Sequence, residues 1–191
     1  MRPLFFMREP RNVYLIGPMG SGKTAVGKHL ARSLHLDFYD SDVEIEHRTG
    51  VDIPYIFEKE GEAGFRDRER EVIDSLTQLK DVVIATGGGA VLTMENRERL
   101  ANRGCVVYLK TGIQQQLDRT RHGRQRPLLY TADREATLRE LMADRAPLYE
   151  SIAAITVLTD GRQVRAVAEE ILQRLKESPA VPQDPGEGPT Q

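Results

Sequence analysis

The 191-residue chain contains one cysteine, Cys105. That excludes an internal disulfide framework and a cysteine-based zinc site. Cys105 opens the apolar run Cys105-Val106-Val107-Tyr108-Leu109, so it is expected to be buried and inert. No apolar run approaches the ~20 residues that a membrane span needs. The charges nearly cancel, leaving a net −2, and this gives no sign of a nucleic-acid or membrane partner. His29, His35, His47 and His122 show no metal spacing and are read as surface residues. No internal repeat is found. The stretch Leu4-Phe5-Phe6-Met7 is too short for a signal-peptide core of ~7–15 residues. A cytosolic location is expected, with Met7 as an alternative start.

The length suits one domain, here residues 1–177, with a short tail. About 70% of the unfolded surface should be buried on folding. Five short apolar runs recur, at 13–16, 36–39, 82–86, 105–109 and 154–158. Helix-compatible segments separate them, at 22–34, 65–79, 95–103, 112–121, 135–149 and 163–176. Val- and Ile-rich strands alternating with helices predict parallel crossovers. Their near-continuous apolar character predicts a sheet covered on both faces. The fold class is therefore α/β, doubly wound, with ligands at the C-terminal strand edge. On 163–176, Val164, Val167, Ala168, Ile171, Leu172 and Leu175 form one stripe, read as core packing. From Ser178 to Gln191 the composition turns to Pro, Gly, Gln, Asp and Glu. Such a segment cannot repay its ordering entropy and is expected to be a disordered tail.

Residues 17–24 read Gly-Pro-Met-Gly-Ser-Gly-Lys-Thr, the phosphate-binding loop pattern with every fixed position filled. The loop follows the apolar run Val13-Tyr14-Leu15-Ile16 and opens a helix-compatible stretch from Ala25. Inward-pointing amides and a helix N-terminus favour an anion there. Lys23 can reach terminal phosphates, and Thr24 offers a hydroxyl to Mg²⁺. The second run ends in Asp40-Ser41-Asp42. On an extended chain both carboxylates leave one face, where they can hold a hydrated Mg²⁺ and accept a hydroxyl proton. The plainer alternative is a polar strand end with Asp42 as helix N-cap. The third run enters Gly87-Gly88-Gly89, whose bare backbone a ligand can approach; a flexible turn is the alternative. That run ends without an aspartate, so the metal's carboxylate would come from Asp40-Ser41-Asp42. Arg66, Arg126 and Arg145 carry the planar fork suited to carboxylate and phosphate, though each alone also fits a solvated surface. The basic, loop-like segment 119–134 suits a lid.

Taken together, these residues resemble the shikimate kinase family. The likeness rests on the phosphate loop, Phe38-Tyr39-Asp40-Ser41-Asp42, Arg48-Thr49-Gly50, Gly61 through Glu69, Gly87-Gly88-Gly89, Arg126-Pro127-Leu128-Leu129 and Arg145-Ala146-Pro147-Leu148-Tyr149. It runs in order over about residues 11–176. The resemblance implies a fold like nucleoside monophosphate kinases, with a five-stranded parallel sheet, a substrate-binding segment at about 42–75 and a lid at about 119–134. It implies Mg²⁺-dependent transfer from ATP to shikimate, giving ADP and 3-phosphoshikimate. Separately, no obvious apolar patch argues for an oligomer, so a monomer is the default expectation. The implied nucleotide site comprises Gly20, Ser21, Gly22, Lys23, Thr24 and Ala25, with Arg126 on the transferring phosphate and Arg119 and Arg162 beside the adenine. Thr24 and Asp40 would serve the metal. Asp42 would orient or deprotonate the attacking hydroxyl, with Lys23 and Arg126 as its catalytic partners. Arg66 and Arg145 would clamp the substrate carboxylate, with Gly88 and Gly89 against the ring. Two rivals share the phosphate loop: a gluconate kinase and a nucleotide-binding protein without turnover. The first should not need the Arg66–Arg145 pair with Asp42. The second would be expected to lose Asp42 or Arg126.

Overall fold

The computed structural model describes residues 12–121 and 127–177. The expectations for Met7, His122, Arg126 and the 178–191 tail fall outside these residues. Five strands form one sheet: β1 Val13–Ile16, β2 Asp37–Asp40, β3 Val82–Ala85, β4 Cys105–Lys110 and β5 Ile155–Leu158. Their order is β2-β3-β1-β4-β5, and every pairing is parallel. The helices are α1 Lys23–Leu34, α2 Ser41–Thr49, α3 Ile53–Thr77, α4 Met94–Arg103, α5 Ile113–Thr120, α6 Arg134–Ile152 and α7 Val164–Glu177. The doubly wound α/β expectation is met, and all five strands coincide with the apolar runs.

Side chains alternate along each strand, so each face of the sheet needs its own cover. Tyr14, Ile16, Ile84 and Tyr108 pack with Ile73, Leu100 and Tyr149 from α3, α4 and α6. Val13, Leu15, Val83 and Val107 pack on the other face with Leu30 of α1 and Ile171 of α7. Cys105 is buried in this second layer. The α7 stripe packs as expected except for Val164, which is 38% exposed at the first residue of the helix. His35 and His47 are exposed, whereas His29 is half-buried. Among the described residues no helix is long and apolar enough to cross a membrane.

Two helical pieces escape a periodicity reading. The first is α2, which is short and mostly polar. Its N-cap is Asp40, whose side chain accepts from the Asp42 amide at 3.1 Å, and it ends on a left-handed Gly50. The second is the start of α3, capped by Asp52, which accepts from Tyr55 N at 3.0 Å. Gly61 leaves helical geometry inside α3 (φ 70°, ψ −174°) and divides it into two pieces. Each short piece has too few apolar positions for a clear stripe. Tertiary burial of Ile45 and Ile56 holds them in place instead.

Because β1 is central, its neighbours β3 and β4 lie on opposite sides. The chain therefore opens a crevice where β1 ends, the expected ligand position in such sheets. The core that supports it should be sensitive to truncation. Leu30→Ala removes a fully buried side chain from the α1–α7 layer. It should cost about 2–5 kcal/mol, read as a fall in chemical-denaturation midpoint. A midpoint equal to wild type would show that this layer is not packed as described.

Candidate active site

The loop after β1 wraps the head of α1, whose N-terminus is open to the cleft. Lys23 Nζ donates to the carbonyls of Gly17 and Pro18, both at 2.8 Å, and to Ser21 Oγ at 3.3 Å. The ammonium thus lies across the mouth of the loop. Gly20, Gly22, Lys23, Thr24 and Ala25 line a cleft of about 540 Å³. Ser21 is buried behind them. Arg119, on α5, also lines the cleft and donates from Nη1 to Gly20 O at 2.9 Å. Arg162 is not brought there. Its guanidinium pairs with Glu170 at 2.6 Å and donates to Leu158 O and Ala166 O.

Asp40 and Asp42 both line the cleft, but not by strand alternation. β2 ends at Asp40, and Asp42 sits in the first turn of α2. The expectation of one extended segment is corrected by the helix that starts at Ser41, and the N-cap is Asp40 rather than Asp42. Thr24 Oγ1 donates to Asp40 Oδ2 at 2.7 Å. A hydroxyl and a carboxylate at that spacing are hard oxygen donors. Two such donors suit Mg²⁺, which keeps several waters and uses phosphate oxygens, better than a cation wanting a full protein cage. No cluster of three or more His, Cys, Asp or Glu able to hold a metal occurs among the described residues.

Asp42 has a fully buried Oδ1 without a protein partner. Burial, then the charges of Glu69 and Asp40, push its carboxyl up to about 7, against the opposing pull of Lys23 and Arg66. Such a carboxyl can take a proton from a hydroxyl near neutral pH.

The arginine pair converges as expected: Arg66 of α3 and Arg145 of α6 line the same cleft. Arg66 is bound by Glu69 at 2.7 Å and Glu62 at 2.9 Å, and its guanidinium lies over the Phe65 ring. Burial disfavours the Arg66 charge, but Glu69 and Glu62 overcome that and raise its pKa. Burial raises Glu69, with Arg66 and Arg145 opposing. We read the Arg66–Glu69 pair as ionised, because a 2.7 Å charge-assisted bond joins them. Glu69 was not anticipated. Its signal was the Arg66-x-x-Glu69 spacing, which puts both on one helix face.

The glycine run sets these charges in place. A Cβ at Gly87 would lie 2.7 Å from both Asp42 Oδ1 and Glu69 Oε1. A Cβ at Gly89 would overlap the Arg66 guanidinium. Gly88 has more room and presents its carbonyl to the Tyr149 hydroxyl. Tyr149 was also missed, although Arg145-x-x-x-Tyr149 places it one helical turn on.

A family model described as shikimate kinase matches residues 19–176. The chain is 53% identical over 171 residues to a shikimate kinase from Vibrio cholerae serotype O1, covering 90% of this chain and 98% of that protein. It is 53% identical over 169 residues to one from Alteromonas mediterranea, covering 88% and 99%. A solved shikimate kinase from Acinetobacter baumannii, in complex with shikimate, superposes with a TM-score of 0.86 at 51% identity, covering 87% and 93%. A gluconokinase from Sinorhizobium meliloti matches at a TM-score of 0.56 and 16% identity, covering 89% and 94%, which shows a common fold only.

The raised Asp42 carboxyl has a consequence for stability. The unfolded chain loses this proton near 3.8 and the folded chain near 7. Between those values the folded state holds the extra proton, so this group's contribution to stability falls as pH rises. Asp42→Asn removes the penalty. Its gain in melting temperature over wild type should be larger at pH 8 than at pH 5. An equal shift at both pH values would contradict the buried, raised carboxyl.

Proposed function

The chain belongs to the shikimate kinase family, and on that premise we propose how its cleft carries the γ-phosphoryl group of ATP to the 3-hydroxyl of shikimate. The reaction gives 3-phosphoshikimate and ADP, a step of chorismate and aromatic amino-acid biosynthesis. The observation that carries the division of labour is convergence. The phosphate loop, Asp42 and the Arg66–Arg145 pair all open onto one cleft.

Lys23 and the amides of Gly20 to Lys23 hold the phosphates, with Ala25 at the start of the same helix. Thr24 and Asp40 would hold Mg²⁺, and the ion would supply charge neutralisation on the phosphates. Asp42 binds substrate hydroxyls and orients or deprotonates the attacking oxygen. Arg66 and Arg145 take the shikimate carboxylate, and Gly88 and Gly89 border the ring. Arg119 borders the adenine; Arg162 joins it only by leaving Glu170. Arg126, outside the described residues, is assigned to the transferring phosphate by the family resemblance alone. Phosphoryl transfer through a loose transition state needs in-line positioning and positive charge more than covalent chemistry, and these residues provide both.

An ADP-release assay tests the reading. Wild type should release ADP with shikimate and not with gluconate. Lys23→Ala should lower kcat about a hundredfold or more, the usual scale for losing a transition-state charge partner, with unchanged circular dichroism. Wild-type turnover in a folded Lys23→Ala protein would remove the loop from the mechanism.

Gly89→Ala probes the carboxylate side separately. The added methyl meets the Arg66 guanidinium rather than backbone, so the adjustment falls on that side chain and its carboxylate partners rather than on the main chain. The guanidinium must shift. kcat/KM for shikimate should fall about tenfold to a hundredfold, the loss of one charge-assisted contact of ~1.5–3 kcal/mol. KM for ATP should stay put. An equal rise in both KM values would argue for a general distortion instead.

A further inference from the structure

Tyr149 joins two parts of the cleft that the chain supplies from distant positions. Its ring is fully buried and stacks on Tyr108, with centroids 5.0 Å apart and planes inclined by 27°. A phenylalanine would serve that packing equally well. The hydroxyl has partners of its own. It donates to the carbonyl of Gly88, and Arg145, itself buried, stands one helical turn before Tyr149 on α6 with its charge acting on that hydroxyl. Burial raises the phenol's pKa, so it remains protonated and able to donate.

The two arginines are therefore connected twice. Glu69 bonds Arg66 directly and acts on Arg145 through its charge. The second connection is made of backbone and Tyr149. Arg66 packs against the Gly89 Cα, Gly89 is covalently joined to Gly88, and Gly88 O is tied to Tyr149 beside Arg145. Glu69 holds charge; the Tyr149 tie holds position.

We propose that Tyr149 is a positioning residue for carboxylate recognition, fixing Arg145 and the Gly88–Gly89 backbone in register with Arg66. This rests on the reading that Arg66 and Arg145 bind the substrate carboxylate. A bidentate guanidinium contact depends on direction as well as distance, so a small rotation of Arg145 weakens recognition of the anion. Phosphate binding at the loop after β1 is untouched by such a rotation.

The test uses Tyr149→Phe, which keeps the ring stack and removes the hydroxyl, beside wild type and Arg145→Ala. Shikimate and its methyl ester are compared as substrates. For Tyr149→Phe, KM for shikimate should rise about two- to tenfold, the scale of one net hydrogen bond. Acid-over-ester preference should fall by a similar factor, and KM for ATP should not move. A purely structural role would lower melting temperature and specific activity while leaving that preference at the wild-type value, and this result overturns the proposal. If Arg145→Ala loses the preference and Tyr149→Phe keeps it, the tyrosine's role alone is overturned. If Arg145→Ala keeps the preference, the carboxylate clamp falls, and the role of Tyr149 with it. If the wild-type protein does not phosphorylate shikimate at all, the functional reading itself is at fault.

Discussion

Two carboxylate oxygens, Oδ1 of Asp42 and Oε1 of Glu69, each lie 2.7 Å from where a Cβ would stand on Gly87. Both are buried and neither has a hydrogen-bond partner in the protein. Burying an unpartnered acceptor, and two of like charge together, is unfavourable. The surrounding cations offset that cost. Arg66 lies against Glu69, and Lys23 acts on Asp42 through its charge. The glycine backbone permits the arrangement because any larger residue at 87 would occupy the space the oxygens fill.

The sheet explains how such distant residues meet. Asp40 ends β2, the glycine run follows β3, and the phosphate loop follows β1. With β3 beside both β1 and β2, these three C-terminal ends lie side by side. α3 and α6 cover the same face of the sheet, and they carry Arg66 and Arg145. Parallel pairing makes the convergence systematic, because every strand end points to one edge. The same scaffold supports other chemistry. At 16% identity the gluconokinase shares the fold, while substrate choice resides in side chains set upon it.

Charges of both signs line the cleft. Lys23 lies there with the head of α1, and Arg66 and Arg145 reach it from α3 and α6. Asp40 and Asp42 line it too, two residues apart yet with separate partners. Asp40 is engaged by Thr24 and the Asp42 amide. Asp42 Oδ1 is left free. This difference arises from the cap of α2: the residue that caps a helix has its carboxylate occupied by backbone, and the residue inside the first turn does not.

The strands, most helices and the phosphate loop were legible in the sequence because they depend on neighbours along the chain. Apolar runs between turns specify buried strands, and Gly-x-x-x-x-Gly-Lys-Thr specifies a backbone curl wherever a strand meets a helix. α2 and the first part of α3 were not legible, since short polar helices have too little periodicity and rely on caps and on the burial of Ile45 and Ile56. Arg66 and Arg145 could be named from a family resemblance, but each alone reads as a surface cation. The spacing of Glu69 from Arg66 hints at a pair, but the place of Glu69 beside Gly87, like that of Tyr149 against Gly88, needed the folded molecule. Their importance comes from what lies opposite them, Gly87 and Gly88, and no local pattern records a contact between residues 61 positions apart such as Tyr149 and Gly88. Local sequence thus determined the elements and the nucleotide loop, whereas the tertiary structure decided which charges are buried together, because burial and pairing are properties of the whole packed sheet.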